Sequence, residues 1–156
     1  MKSIALVLLI VSTQVPANDF AEVELEAKHW YQTSYAILWR DAVSIDLEKV
    51  RDHYIEGYRV HNADGGFQTA ANSNEEWLET LKYFGDNWVG SDLVKVEVNA
   101  FNQNAVAMRS EWVNRNSDGT TSSNCANYVA GRSTEARWRF YDLFIIDCSA
   151  EQRPPQ

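Results

Sequence analysis

The sequence predicts an α+β fold, helices first and an antiparallel meander last, with the helices on one face of a curved sheet. Three observations carry this: apolar residues at three- and four-residue steps over Asp19 to Ala42, a change to two-residue alternation from Leu93 onward, and a hairpin signal at Asn116-Ser117-Asp118-Gly119. In the first segment Val23, Ala27, Trp30, Ser34, Leu38 and Asp41 keep the helical steps, with Tyr31, Tyr35 and Trp39 beside them, and Asn18 or Asp19 can cap it. Ile45, Asp46, Leu47 and Val50 predict a second, short helix capped by Ser44 and running to about Tyr54, with Gly57 as its stop. Tyr58-Arg59-Val60-His61 reads as a short strand and Asn62-Ala63-Asp64-Gly65-Gly66 as a turn. Ser73-Asn74-Glu75-Glu76 has the form of a capping box and opens a third helix with Trp77, Leu81 and Phe84 on one face.

The strands follow. Val94, Val96, Val98 and Ala100 alternate with Lys95, Glu97 and Asn99, the mark of a half-buried strand. After the turn Asn102-Gln103-Asn104, a strand from Ala105 to Asn114 carries Val106, Met108 and Trp112 on one side, with Glu111 opposite Trp112. The hairpin leads into a strand over Ser122 to Ala130, in which Asn124, Ala126 and Tyr128 share one face and Cys125, Asn127 and Val129 the other. Gly131 to Glu135 turns the chain again, and Arg137 to Asp147 is the last strand, rich in Trp138, Phe140, Phe144 and Ile146.

The chain has 156 residues, 45% of them hydrophobic, with 22 acidic against 14 basic side chains and a formal net charge of -8. That is material for one core, and it excludes a disordered or low-complexity chain. The acidic balance repels a phosphate backbone or an anionic membrane surface, so no nucleic-acid partner is expected. At the N-terminus Met1-Lys2-Ser3 supplies a positive start, Ile4 to Val11 an unbroken apolar run, and Val15-Pro16-Ala17 small residues for a signal peptidase. The run is far shorter than the roughly 20 apolar residues that a membrane span needs. The expected organisation is a signal peptide over 1–17 cleaved after Ala17, one domain over 18–148, and a short tail over 149–156, placing the protein in a periplasm or outside the cell.

Two cysteines remain, Cys125 and Cys148, and two arguments about them diverge. An oxidising compartment joins such a pair. If the last turn centres near Ser133 or Thr134, however, Cys125 lies opposite Leu143, and five residues of slip span about 16 Å at 3.3 Å per residue, beyond the roughly 4.4 to 6.8 Å that a disulfide bridges. A bulge near Asp142, or the chain bending back after Asp147, would shorten that distance, and the bond is left open. The histidines His29, His53 and His61 show no metal-binding spacing, so neither a metal nor another cofactor is expected, and His29 and His53 read as surface or satisfied core residues.

The order of elements from Phe20 to Asp147 resembles the nuclear transport factor 2-like, or SnoaL-like, family, also the fold of ketosteroid isomerase. The local likeness lies in Asn104-Ala105-Val106-Ala107 leading to Glu111-Trp112-Val113-Asn114-Arg115-Asn116-Ser117-Asp118-Gly119, in Asn127-Tyr128-Val129, and in Arg137-Trp138-Arg139. The resemblance implies a cone-shaped roll, a strongly curved sheet whose first and third helices close over an apolar pocket. It implies no single function, since members include isomerases, cyclases, dehydratases, binding modules and subunits of complexes. At the strand positions where the isomerases carry acids, this chain has Asn62 and either Ala126 or Asn127, none of them a carboxylic acid.

Residues placed to line such a pocket are Tyr31, Tyr35, Trp39, His61, Met108, Trp112 and Tyr128, although an aromatic helical stripe is more commonly plain core. Asp142 interrupts an apolar strand. Pointing inward, it would be an acid/base candidate with Tyr35 or Tyr128 as partner; the more common reading is a bulge, or an outward residue paired to Arg139 or Arg109. Three roles fit: a module binding a small apolar or amphipathic molecule, a cofactor-independent isomerase, dehydratase or cyclase, and an interaction domain dimerising through the sheet face by outward aromatics such as Trp112 and Trp138.

Overall fold

The computed structural model describes residues 20–61, 67–69, 81–132 and 137–148. The expected signal peptide, the turn over 62–66, the start of the third helix with Ser73 and Trp77, and the tail over 149–156 lie outside them. The helical start comprises α1 (Ala21–Trp30), a π-helical turn (Tyr31–Tyr35) and a 3-10 turn (Ala36–Trp39). The single α-helix expected to Ala42 is thus three windings in succession. Its buried residues explain why: Val23, Ala27, Tyr31, Tyr35 and Trp39 recur every four residues. In a regular α-helix each four-residue step advances the face by about 40°. The wider π-helical turn rewinds that drift, so Tyr31 and Tyr35 stay on the core side.

Helix α2 (Leu47–Arg51) is shorter than expected, and its cap is Asp46, whose side chain accepts from the Lys49 N–H at 3.1 Å, in place of Ser44. Ser44 instead donates its hydroxyl to Asp41. Gly57 does not stop a helix. It takes φ 75° inside strand β1 (Tyr54–His61), where the register to its neighbour shifts between Tyr54 and Arg59. The strands β2 (Phe67–Thr69), β3 (Trp88–Asn102), β4 (Ala105–Asn116), β5 (Thr121–Arg132) and β6 (Trp138–Ile146) complete one six-stranded sheet of order β2-β1-β6-β5-β4-β3. The late strands form the expected antiparallel meander, while β1 joins β6 in parallel.

Bulges set the facing. Leu93 pairs with Trp112 and Lys95 with Glu111, leaving Val94 as the extra residue; it is 63% exposed, and Leu93 takes the partly buried place that alternation assigned to Val94. The edge strand β3 approaches the chain after the 3-10 turn so closely that a Cβ at Gly90 would lie 2.2 Å from the Arg40 carbonyl oxygen. The Ala42 N–H donates to the Val89 oxygen there. At the other end Glu26 of α1 accepts from Arg132 (2.8 Å) and from the Trp138 indole (3.1 Å), and Arg132 lies 5.0 Å over the Trp138 ring. This clamp ties α1 to the β5–β6 hairpin.

The core lies between the helical run and the concave face of the sheet, and Phe140 is at its middle. Its ring, fully buried, sits 4.9 Å from that of Trp30, 4.7 Å from Tyr35, 5.0 Å from Tyr54 and 4.7 Å from Tyr128. Truncating Phe140→Ala should therefore cost about 3–5 kcal/mol, whereas Phe144→Ala, on the same strand but 37% exposed, should cost under about 1 kcal/mol. Urea denaturation of both variants checks this, and equal losses would contradict the placement of the core.

Candidate functional site

The π-helical turn aims Tyr31 and Tyr35 at the sheet, the first residue of β1 supplies Tyr54, and β5 supplies Tyr128; all four are buried. Their rings meet edge to face or tilted, Tyr31 to Tyr35 at 5.3 Å, Tyr31 to Tyr128 at 5.5 Å, Tyr35 to Tyr54 at 6.0 Å and Tyr35 to Tyr128 at 6.1 Å. The Tyr35 and Tyr54 hydroxyls are hydrogen-bonded at 2.6 Å. Beside them the buried Ser110 hydroxyl accepts from the Trp112 indole at 2.9 Å and donates to the Ala126 carbonyl at 3.4 Å. Two buried donors are poorly satisfied among the described residues: the Trp39 indole N–H has no hydrogen-bond partner, and the Tyr31 hydroxyl makes no well-formed hydrogen bond although the Ser110 and Tyr128 hydroxyls lie beside it. Such groups carry a desolvation cost of about 1–3 kcal/mol each.

Burial pushes the hydroxyls of Tyr31, Tyr35 and Tyr54 well above the ordinary tyrosine range, and the neighbouring phenols oppose ionisation further. Tyr128 is raised by burial too, partly offset by the nearby hydroxyls of Tyr31, Tyr35 and Ser110. The cluster is a set of neutral hydrogen-bond donors. At neutral pH it cannot take up a proton.

Of the residues expected to line a pocket, Tyr31, Tyr35, Trp39, Met108, Trp112 and Tyr128 are together in the core cluster. His61 is not. It sits on the outer side of β1 with its ring stacked on Phe144 at 4.3 Å. Asp142 is on that outer side as well, beside a bulge, which agrees with the bulged or outward reading and excludes the inward one with Tyr35 or Tyr128 as partner. The pairing runs Ala130 with Phe140 and then Val129 with Asp142, so Tyr141 is an extra residue. Two positions after the inward Phe140, Asp142 would have pointed inward in a regular strand; the bulge turns it out. Its outward partners are neither Arg139 nor Arg109. Arg59 reaches it by Nε (2.7 Å) and Nη2 (2.9 Å), and His61 Nε2 lies 3.3 Å away. Trp112 and Trp138 are buried facing the core, so they are removed from any contact through the outer sheet face.

The pairing of Gly131 with Arg139, followed by the same bulge, sets Cys125 opposite Ile146 in place of Leu143. Cys148 then comes within reach, and the two cysteines are disulfide-bonded with Cα atoms 5.1 Å apart. The sequence reading missed Tyr54, which it assigned to the end of the second helix, and the central role of Phe140. The recurrence of Tyr54, Tyr58 and Val60 about a glycine was the available signal. His53, stacked on Trp30 at 5.6 Å and with Nδ1 2.7 Å from the Lys49 carbonyl oxygen, is a satisfied, half-buried residue whose pKa burial lowers. Asn62 and Asp64 lie outside the described residues. Ala126 faces the core and Asn127 is partly exposed, and among the described residues no carboxylate is buried.

No family model matches the sequence, and no curated protein does. Solved structures do. Aln2 from a Streptomyces species superposes with a TM-score of 0.60 at 13% identity, over 81% of this chain and 91% of that one. A ketosteroid isomerase-like protein from Erwinia carotovora atroseptica gives 0.53 at 14% identity, over 85% and 99%. An uncharacterized protein with a cystatin-like fold from Caulobacter vibrioides gives 0.56 at 14% identity, over 80% and 91%. The fold is the α+β roll of nuclear transport factor 2-like, SnoaL-like and ketosteroid isomerase-like proteins.

Alkaline titration reports on the tyrosine cluster. A group protonated in the folded protein with its pKa raised contributes stability that is fully present below the unfolded value, about 10, and is lost as pH rises through the folded value. Tyrosinate absorbance of the buried four should therefore appear together with the loss of near-ultraviolet dichroism, above pH ~10. Ionisation of all four with the dichroism intact would refute the cluster.

Proposed function

We propose that this protein is an exported binding module for a small amphipathic molecule, held between the helical run and the concave face of the sheet. The observation that carries the reading is a pair of buried donors on one face of the same helical run, the Trp39 indole N–H, without a hydrogen-bond partner among the described residues, and the Tyr31 hydroxyl, with only the Ser110 and Tyr128 hydroxyls beside it. A ligand with an apolar body and an oxygen acceptor would satisfy them and offset their desolvation. Export rests on the leader pattern of residues 1–17. The alternative, an isomerase, dehydratase or cyclase working with a carboxylate and a tyrosine, is the weaker reading because Asp142 lies outside, paired with Arg59, and no carboxylate is buried among the described residues.

Tyr31→Phe separates binding from packing. With no well-formed hydrogen bond to lose, the variant should match the parent in stability to within about 0.5 kcal/mol, while Tyr35→Phe, which breaks the bond to Tyr54, should lose about 1 kcal/mol. Titrated with 2-naphthol and followed by tryptophan fluorescence, Tyr31→Phe should bind about tenfold more weakly than the parent, the worth of one buried hydrogen bond. Equal affinity, or no binding by either protein, would reject the reading. Export is checked by sequencing the N-terminus of protein recovered from the periplasm or medium. Asn18 is the expected first residue, and an intact Met1 would exclude cleavage after Ala17.

A further inference from the structure

Among the described residues, the disulfide closes the strand ladder that joins β1 and β2 to the rest of the sheet. β2 pairs with β1, and β1 is carried by β6 through Arg59 with Asp142, Val60 with Leu143 and His61 with Phe144, beyond a single earlier pair at Tyr54 and Phe140. The same stretch of β6 is held from its other side by β5, through Val129 with Asp142, Tyr128 with Leu143, Asn127 with Phe144, and finally Cys125 with Ile146. Residues 142–146 thus support both neighbours at once, and they lie at the end of the strand, where a ladder opens first. Cys148, just past that terminus, is bonded back to β5 at Cys125. The two sulfurs are placed unequally. Cys125 is fully buried and Cys148 is exposed, so a reductant can approach only from the Cys148 side.

From this placement we infer that the Cys125–Cys148 bond is a redox-sensitive latch on the β1–β2 side of the sheet: reduction releases the end of β6, and with it β1 and β2, and leaves β3, β4 and β5 paired. The reductant is a dithiol. Its thiolate attacks the Cys148 sulfur and forms a mixed disulfide, while the bond to Cys125 breaks and Cys125 leaves as a thiolate that takes up a proton. The second thiolate of the reductant then displaces Cys148, which is protonated in turn, and the dithiol departs as its cyclic disulfide. Two electrons and two protons pass to the protein. The inference rests on the strand pairing and is independent of any ligand.

Backbone hydrogen exchange followed by mass spectrometry tests it on the full chain, oxidised or treated with dithiothreitol under native conditions. In the reduced protein, amides of residues 142–146 and 59–61 should exchange about tenfold faster or more, with those of β3 and β4 changed by less than about twofold. The Cys148→Ser variant should reproduce the pattern, and iodoacetamide added during reduction should label Cys148 ahead of Cys125. Exchange that is unchanged, or that rises equally in every strand, overturns the inference. So does a bond that dithiothreitol opens only in denaturant.

Discussion

The packing of Phe140 against the aromatic face of the helical run joins the two halves of this protein. The sheet contributes a ring at the middle of β6, the helical run contributes Trp30, Tyr31 and Tyr35, and β1 and β5 add Tyr54 and Tyr128 around it. Large flat side chains meet at fixed distances and angles, so the winding of the helix has to yield to them. It does so in the π-helical turn over Tyr31–Tyr35, where the buried face keeps its four-residue repeat. The clamp from Glu26 to Arg132 and Trp138 and the close contact of Gly90 with Arg40 hold the two ends of that run against the sheet.

A second constraint is one residue long. The bulge at Tyr141 shifts the pairing of β6 against β5 by a single position, and three consequences follow from it. Asp142 turns from the core to the outer side, where Arg59 and His61 surround it and help to hold β1 beside β6. The core consequently keeps its tyrosines without a buried carboxylate among the described residues, which favours hydrogen-bond donation over proton transfer. Cys125 also comes opposite Ile146, where Cys148 can reach it.

Much of the architecture was legible in the residues. The Asp-Gly hairpin at residues 118–119 and the alternation of Val106, Met108 and Trp112 depend on local chemistry and burial, and the last three strands stand where the pattern put them, while the strand expected from Leu93 begins earlier, at Trp88, and is bulged at Val94. Tyr31, Tyr35, Trp39, Met108, Trp112 and Tyr128 were legible as one group for the same reason, since each lies on the apolar side of its own element. Capping was less so. Ser44 and Asp46 are both competent caps, and the choice of Asp46 follows from where the chain must turn toward β1.

The sequence by itself determined the class of fold, the aromatic makeup of the core and the order of the elements, because periodicity and turn chemistry act over a few residues. Only the tertiary structure decided the facing of Asp142 and His61, the parallel joining of β1 to β6, the assignment of Tyr54 to a strand and the bonding of Cys125 to Cys148. Each of these depends on register between strands distant in the chain, and a single bulged residue reverses every facing that follows it. No spacing within one strand carries that information.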